Sequence, residues 1–226
     1  MHHIEESAEY ALKLLMQPTL ENTKRAKDIL SVILKLQVSE PQNPNYGIFP
    51  TYLEYPADKP DNPMYEETSV VITLYLIQIL INFKNLIPAS MIKKIEKACH
   101  LSIFYISNSE IKLRYAASIH SLIDAAVLLA CGTIFKKSEY LHLGMKKFEN
   151  YFTAIKYNGS FWEHNSPCEM YFISSALEFI RTTITGNQCD YMIDNLNNML
   201  WENIAINFHA SINKLTGACS NAAGTI

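Results

Sequence analysis

The stretch Val70-Val-Ile-Thr-Leu-Tyr-Leu-Ile-Gln-Ile-Leu-Ile81 decides how this chain folds. Only Thr73 and Gln78 interrupt its apolar character, and it is shorter than the roughly 20 residues a bilayer requires. A helix apolar on every side must be surrounded by protein, so the stretch reads as a core helix. Two further stretches repeat the pattern. Leu122, Ile123, Ala125, Ala126, Val127, Leu128 and Leu129 leave no polar face, and neither do Tyr171, Phe172, Ile173, Ala176, Leu177, Phe179 and Ile180.

Working outward, apolar spacing of three and four residues predicts helices over 3–17, 20–37, 67–82, 90–107, 115–132, 135–156, 167–184 and 188–209. No convincing strand competes. Pro18, Pro88, Gly132 and Gly186 fall between the members of successive pairs, where one helix stops and the next begins. At the seventh start, Ser166, Pro167 and Glu169 have the form of a capping box. Between the apolar helices lie amphipathic ones: Ile92, Ile95, Cys99 and Ile103 oppose Lys93, Lys94, Glu96 and Lys97, and Met192, Leu196, Met199 and Leu200 oppose Asp194, Asn197 and Asn198.

Alternation of buried and half-buried helices is what an inner ring wrapped by an outer ring requires. The expected fold is therefore all-α: an incomplete α/α toroid of about four helical hairpins in two concentric layers, forming one domain over 1–226. A helical-repeat solenoid is the rival, but no fixed-length motif recurs. The long connections, 38–66, 108–114 and 157–166, collect at one end, which becomes the candidate functional face.

Composition narrows the function classes. Nineteen basic and 22 acidic residues give a net charge of −3, and the basic pairs are dispersed, so no nucleic-acid footprint is present. Five scattered cysteines without CxxC spacing suit a reducing compartment, each expected as a buried thiol. With no signal peptide visible at the first residues, a cytoplasmic location is expected. The histidines lack metal-ligand spacing, and P-loop, GxGxxG, GxSxG and DDxxD motifs are all missing, so neither a metal nor a cofactor is expected.

The long connections carry aromatics and ionisable groups. Asn45-Tyr-Gly-Ile-Phe-Pro-Thr-Tyr-Leu-Glu-Tyr-Pro56 and Gly159-Ser-Phe-Trp-Glu-His-Asn-Ser-Pro167 together suit a saccharide cleft, since flat rings stack on sugar faces while carboxylates and imidazoles bond hydroxyls. The plain alternative is that these aromatics plug the end of the toroid. Tyr46, Tyr52, Glu54, Trp162 and His120 are the candidate substrate-binding residues, His120 being otherwise a core histidine. Glu163, His164, Asn165, Glu66 and Tyr171 are the candidate catalytic residues. A glycosidase needs two carboxylates across the scissile bond. A lyase needs a group such as Asn165 or His164 against the uronate and a tyrosine or histidine to move the proton.

Leu34-Lys-Leu-Gln37 with Tyr46-Gly-Ile-Phe-Pro50, the Glu163-His-Asn-Ser-Pro167 turn with Ala176-Leu177, and Leu200-Trp-Glu-Asn-Ile-Ala205 before His209 and Lys214-Leu-Thr-Gly217 resemble a family of six-hairpin, glycosidase-like or heparinase-lyase-like proteins. The resemblance implies an α/α toroid and a carbohydrate-active cleft. The chain departs from the family at Ile48, where an asparagine is usual, near Glu169 and Met170, and near Cys219 and Asn221. About four hairpins stand where six close such a ring. Expected partners are thus a saccharide ligand, or a second copy or another protein at the open edge. The alternative function is a non-catalytic helical interaction module or inactivated relative.

Overall fold

The punctuation of the chain sets its helices. A computed structural model describes residues 2–55, 65–108, 117–162, 166–184, 189–211 and 214–215, without the side chains of residues 65, 66, 108 and 214. These residues fall into two compact units, Met1–Ser109 and Glu110–Ile226, each of which is taken by itself.

The first unit holds α1 (Ile4–Met16), α2 (Leu20–Leu36), α3 (Tyr65–Asn82) and α4 (Ala89–Asn108). Pro18 follows the end of α1, and Thr19 caps α2 by accepting from the Asn22 amide at 3.0 Å. A single 3-10 turn, Lys84–Leu86, and Pro88 separate α3 from α4. Burial follows the predicted pattern: Ile72, Leu76, Ile77 and Ile79 in α3 are fully enclosed, and α4 buries one stripe through Ile95, Cys99, Ser102 and Ile103. The polar interruption Thr73 is buried too, its hydroxyl donating to the Ser69 carbonyl at 2.8 Å. A helix can thus carry a threonine into a core without an unmet polar group.

The second unit holds α5 (Ile119–Phe135), α6 (Ser138–Asn158), α7 (Pro167–Thr183) and α8 (Asp190–Asn207). Every residue from Ala125 to Gly132 is buried, as the pattern in α5 predicts. Truncating one of the enclosed leucines there, such as Leu122, costs about 2–5 kcal/mol. Lys147 of α6 is 5% exposed and donates to Asp124 of α5 at 3.1 Å, an ion pair at the packed face of these two helices.

The same neighbour relations recur in both units. In the first, α1 packs on α2 and α3, α3 on α4, and α2 on α4; in the second, α5 packs on α6 and α7, α7 on α8, and α6 on α8. Within each unit the first and third helices adjoin, and so do the second and fourth.

Four expectations need correction. Helix α5 does not stop at Gly132 but runs to Phe135, and Lys136 takes the left-handed capping conformation at φ 55°. Gly132 serves close approach: a β-carbon there would lie 2.6 Å from Leu141 Cγ and 2.7 Å from its backbone nitrogen. Helix α7 is not buried all round. Its stripe of Met170, Ile173, Ala176, Leu177 and Ile180 is enclosed, while Cys168, Tyr171, Ser175 and Glu178, spaced at helical intervals, face solvent. Cys168 is therefore an exposed thiol, whereas Cys99, Cys131 and Cys189 are buried as expected. Finally, α8 gives way at Phe208 to a two-residue strand, Phe208–His209, paired antiparallel with Lys214–Leu215. So short a ladder leaves no periodicity to read.

Candidate functional site

In the first unit the aromatic loop is fastened at both ends. Gln37, at the C-cap of α2, is buried, and its side-chain amide donates to the carbonyls of Gly47 and Ala98 at 2.9 Å each and reaches Ser102 Oγ at 3.1 Å. The Gly47 amide donates to the Val38 carbonyl at 2.9 Å and the Val38 amide returns to Ile48 at 3.0 Å. These bonds tie the end of α2, the loop and α4 together. Gly47 has φ 93°, and a β-carbon on it would stand 2.2 Å from the Leu101 carbonyl oxygen. Glycine alone fits.

Beyond this staple, Ile48 and Phe49 are buried, Ile48 packing with Val38 and Tyr105. Position 48 is thus a core position. The Phe49 amide donates to Ser69 Oγ at 3.1 Å, which leads the loop onto the start of α3. Next, the Ile4 amide donates to Thr51 O at 3.0 Å and the Leu53 amide to His2 O at 3.1 Å, so the loop pairs with the residues that open α1.

Tyr52 lies edge-on between His3, at 5.0 Å, and Tyr55, at 6.3 Å between ring centroids. Tyr55 is half exposed. Tyr46 instead packs edge-on against the exposed Phe104 of α4 at 5.4 Å. Glu54 accepts from the His2 amide at 3.2 Å on each oxygen and meets His2 Nδ1 at 2.8 Å. The His2 side-chain contact, with the backbone bonds, lowers the Glu54 carboxyl to about 2. Close by in the chain's first turn, burial, helped by Glu9, Glu6 and Glu67, raises the Glu5 carboxyl to about 7. Two carboxyls of this unit are thereby pushed in opposite directions.

In the second unit Trp162 is 41% exposed, next to the buried Phe161. Tyr171 is 68% exposed and touches Phe172 edge-on at 5.7 Å. Glu163, His164 and Asn165 lie outside the described residues, as does the side chain of Glu66. Ser166 does take the N-cap position, but its side chain makes no capping bond; only its carbonyl accepts from Met170 at 2.9 Å. His120 is exposed and not a core residue. It shares a face with the half-buried Asp124 one turn on, while Ile119 and Ser121 on either side point inward. Among the described residues no group of three His, Cys, Asp or Glu is arranged to hold a metal ion, and no helix is long and apolar enough to cross a membrane.

Sequence reasoning thus places Tyr52 and Glu54 together, while Tyr46 finds a different partner. It missed Glu5, whose signal was the carboxylate run Glu5, Glu6 and Glu9 on one short helix. It also missed Phe104 and the role of Gln37, which depends on a carbonyl 61 residues away.

The chain belongs to the family described as a domain of unknown function, DUF8769, which matches residues 1–224 and so spans both units. No curated protein and no solved structure matches the chain.

Proposed function

We propose that this is a carbohydrate-binding protein of the α/α-toroid kind, its four hairpins forming part of a ring. The layering inside each unit, odd helix beside odd and even beside even, supports that architecture. One observation carries the sugar reading: Tyr52, Tyr55 and an ionised Glu54 stand together on a loop that Gln37 and Gly47 hold in place. Rings offer flat apolar faces to the C–H side of a sugar, and a carboxylate accepts from its hydroxyls. Preorganisation of the loop spares the ligand the entropy of ordering it. Glu163, His164, Asn165, Glu66 and Tyr171 are the residues proposed for hydrolysis or elimination. The free thiols suit a cytoplasmic setting.

Calorimetric titration with a panel of oligosaccharides tests binding, and mass spectrometry of the same mixtures tests turnover. Tyr55→Ala, which removes an exposed ring, is expected to weaken binding about tenfold. Equal affinity in wild type and variant overturns the loop as the site; product formation unchanged in Glu163→Ala and His164→Ala overturns those residues as catalysts.

A second reading, a non-catalytic interaction module, is favoured by a different observation. At the end of α8, Trp201, Ile206 and Phe208 are 62%, 82% and 43% exposed. Large exposed apolar residues of this kind mark protein contacts. Sedimentation of wild type against Trp201→Glu tests it: self-association lost in the variant favours the module, and a monomer in both removes a second copy as the partner.

A further inference from the structure

At the end of the first unit that carries the aromatic loop, acidic residues stand on the loop and on the opening turns of α1 and α3. The loop brings Glu54. The first turn of α1 brings Glu6, with Glu9 one turn further, and the first turn of α3 brings Glu67; Glu5, raised to about 7, carries only part of a charge near neutral pH. These helix starts share the loop: Ile4 donates to Thr51 O at 3.0 Å, and Thr51 Oγ1 lies 3.5 Å from Thr68 Oγ1. Among the described residues the cations are few and placed elsewhere or already engaged. His2 is bound to Glu54, and Lys13, in the last turn of α1, pairs with Glu9. The last turn of α4 has no basic residue. Lys35, in the last turn of α2, is followed by Glu40.

We infer that the saccharide taken by the Tyr52, Glu54 and Tyr55 loop bears no acidic group, and that amino sugars bind there better than neutral ones and uronates worst. The inference rests on the sugar reading and narrows its substrate class. A uronate carboxylate seated on Tyr52 and Tyr55 would stand beside the Glu54 carboxylate of the same loop, and exposed charges act on one another over about a Debye length, about 8 Å at physiological salt. Like charges brought together on binding cost affinity, whereas an ammonium on the sugar gains from the same field. Lyase chemistry, which must quiet a uronate carboxylate with neutral or cationic groups, finds the opposite charge here, so the narrowing also disfavours a polyuronate as the ligand of this loop.

The test titrates the full chain with glucosamine, glucose and galacturonate oligomers of equal length, at about 0.15 M salt and again at about 1 M. At the lower salt the glucosamine oligomer is expected to bind about tenfold tighter than the neutral one, with the uronate weakest and the spread collapsing at high salt. Glu67→Gln and Glu6→Gln, both exposed, should narrow the same spread while leaving the neutral oligomer's affinity unchanged. A uronate bound as tightly as the neutral oligomer overturns the charge selection but leaves the sugar site standing. Failure of all three to bind removes the sugar reading itself.

Discussion

The side-chain amide of Gln37 and the carbonyl of Gly47 meet at 2.9 Å across ten residues of chain, and this bond fixes the loop on which the candidate site stands. The same amide nitrogen reaches Ala98 O and Ser102 Oγ, so one side chain ties the end of α2 to the loop and to α4. The loop's aromatics owe their position to a buried polar group with satisfied donors.

That dependence predicts an unusual order of severity at position 37. Gln37→Leu removes the donors but keeps an uncharged side chain, and should cost about 1–3 kcal/mol of stability in urea unfolding. Gln37→Glu turns a carboxylate oxygen toward two carbonyls and should cost more at pH 7 than at pH 4, where protonation restores a donor. Leucine proving worse than glutamate at both pH values would show that packing, and not hydrogen bonding, fixes the loop.

Gly47 carries a steric prediction. With φ 93° and a β-carbon 2.2 Å from Leu101 O, Gly47→Ala must displace either the loop or α4. The strained backbone alone costs on the order of 1–3 kcal/mol, and the displaced carbonyl adds to it. Unfolding midpoints and proteolysis within Tyr46–Tyr55 read the two effects separately. An alanine variant as stable and as protease-resistant as wild type would contradict the contact.

Two carboxyls give the first unit a pH profile with limbs of opposite sign. Glu5, raised from 4.5 to about 7, keeps in the folded state a proton that the unfolded chain has released, so its contribution to stability falls as pH rises from 4.5 and levels off above 7. After allowance for solvent screening the loss is on the order of 1 kcal/mol. Glu54, lowered to about 2, stabilises above 4.5, and that contribution is lost as pH falls toward 2. Glu5→Gln should flatten the upper limb and Glu54→Gln the lower, measured as urea midpoints across pH 3–8 at constant salt. A Glu5→Gln profile parallel to wild type over pH 4.5–7 would show that Glu5 titrates normally.

What the sequence made legible was periodicity. Val70–Ile81 and Leu122–Leu129 declared buried helices because nearly every position was apolar, Thr73, Gln78 and Asp124 excepted, and Pro18 and Pro88 marked real boundaries. Helix α7 misled because Tyr171 and Phe172 count as apolar in a pattern, yet a phenol tolerates water, and the helix has one buried stripe. Gly132 looked like a stop, but the space it leaves belongs to Leu141, a neighbour that no local pattern reveals. That Tyr52 and Glu54 share one aromatic loop was legible because they are two residues apart in it. The raised carboxyl of Glu5 was not, since burial and the approach of Glu67 from another helix arise only when α1 and α3 come together.

Lys147 and Asp124 carry the last prediction. The ammonium is 5% and the carboxylate 17% exposed, so each owes much of its tolerance to the other. Asp124→Ala leaves a buried ammonium without that carboxylate and should cost about 3–5 kcal/mol, whereas Lys147→Met with Asp124→Leu replaces both charges by apolar volume and should recover most of the loss. A double-mutant cycle in urea, with a repeat of each unfolding curve at high salt, separates pair energy from packing. If the single and double replacements prove equally destabilising, the pair contributes shape and not charge to the α5–α6 contact, and Lys147 acts chiefly through its aliphatic stem.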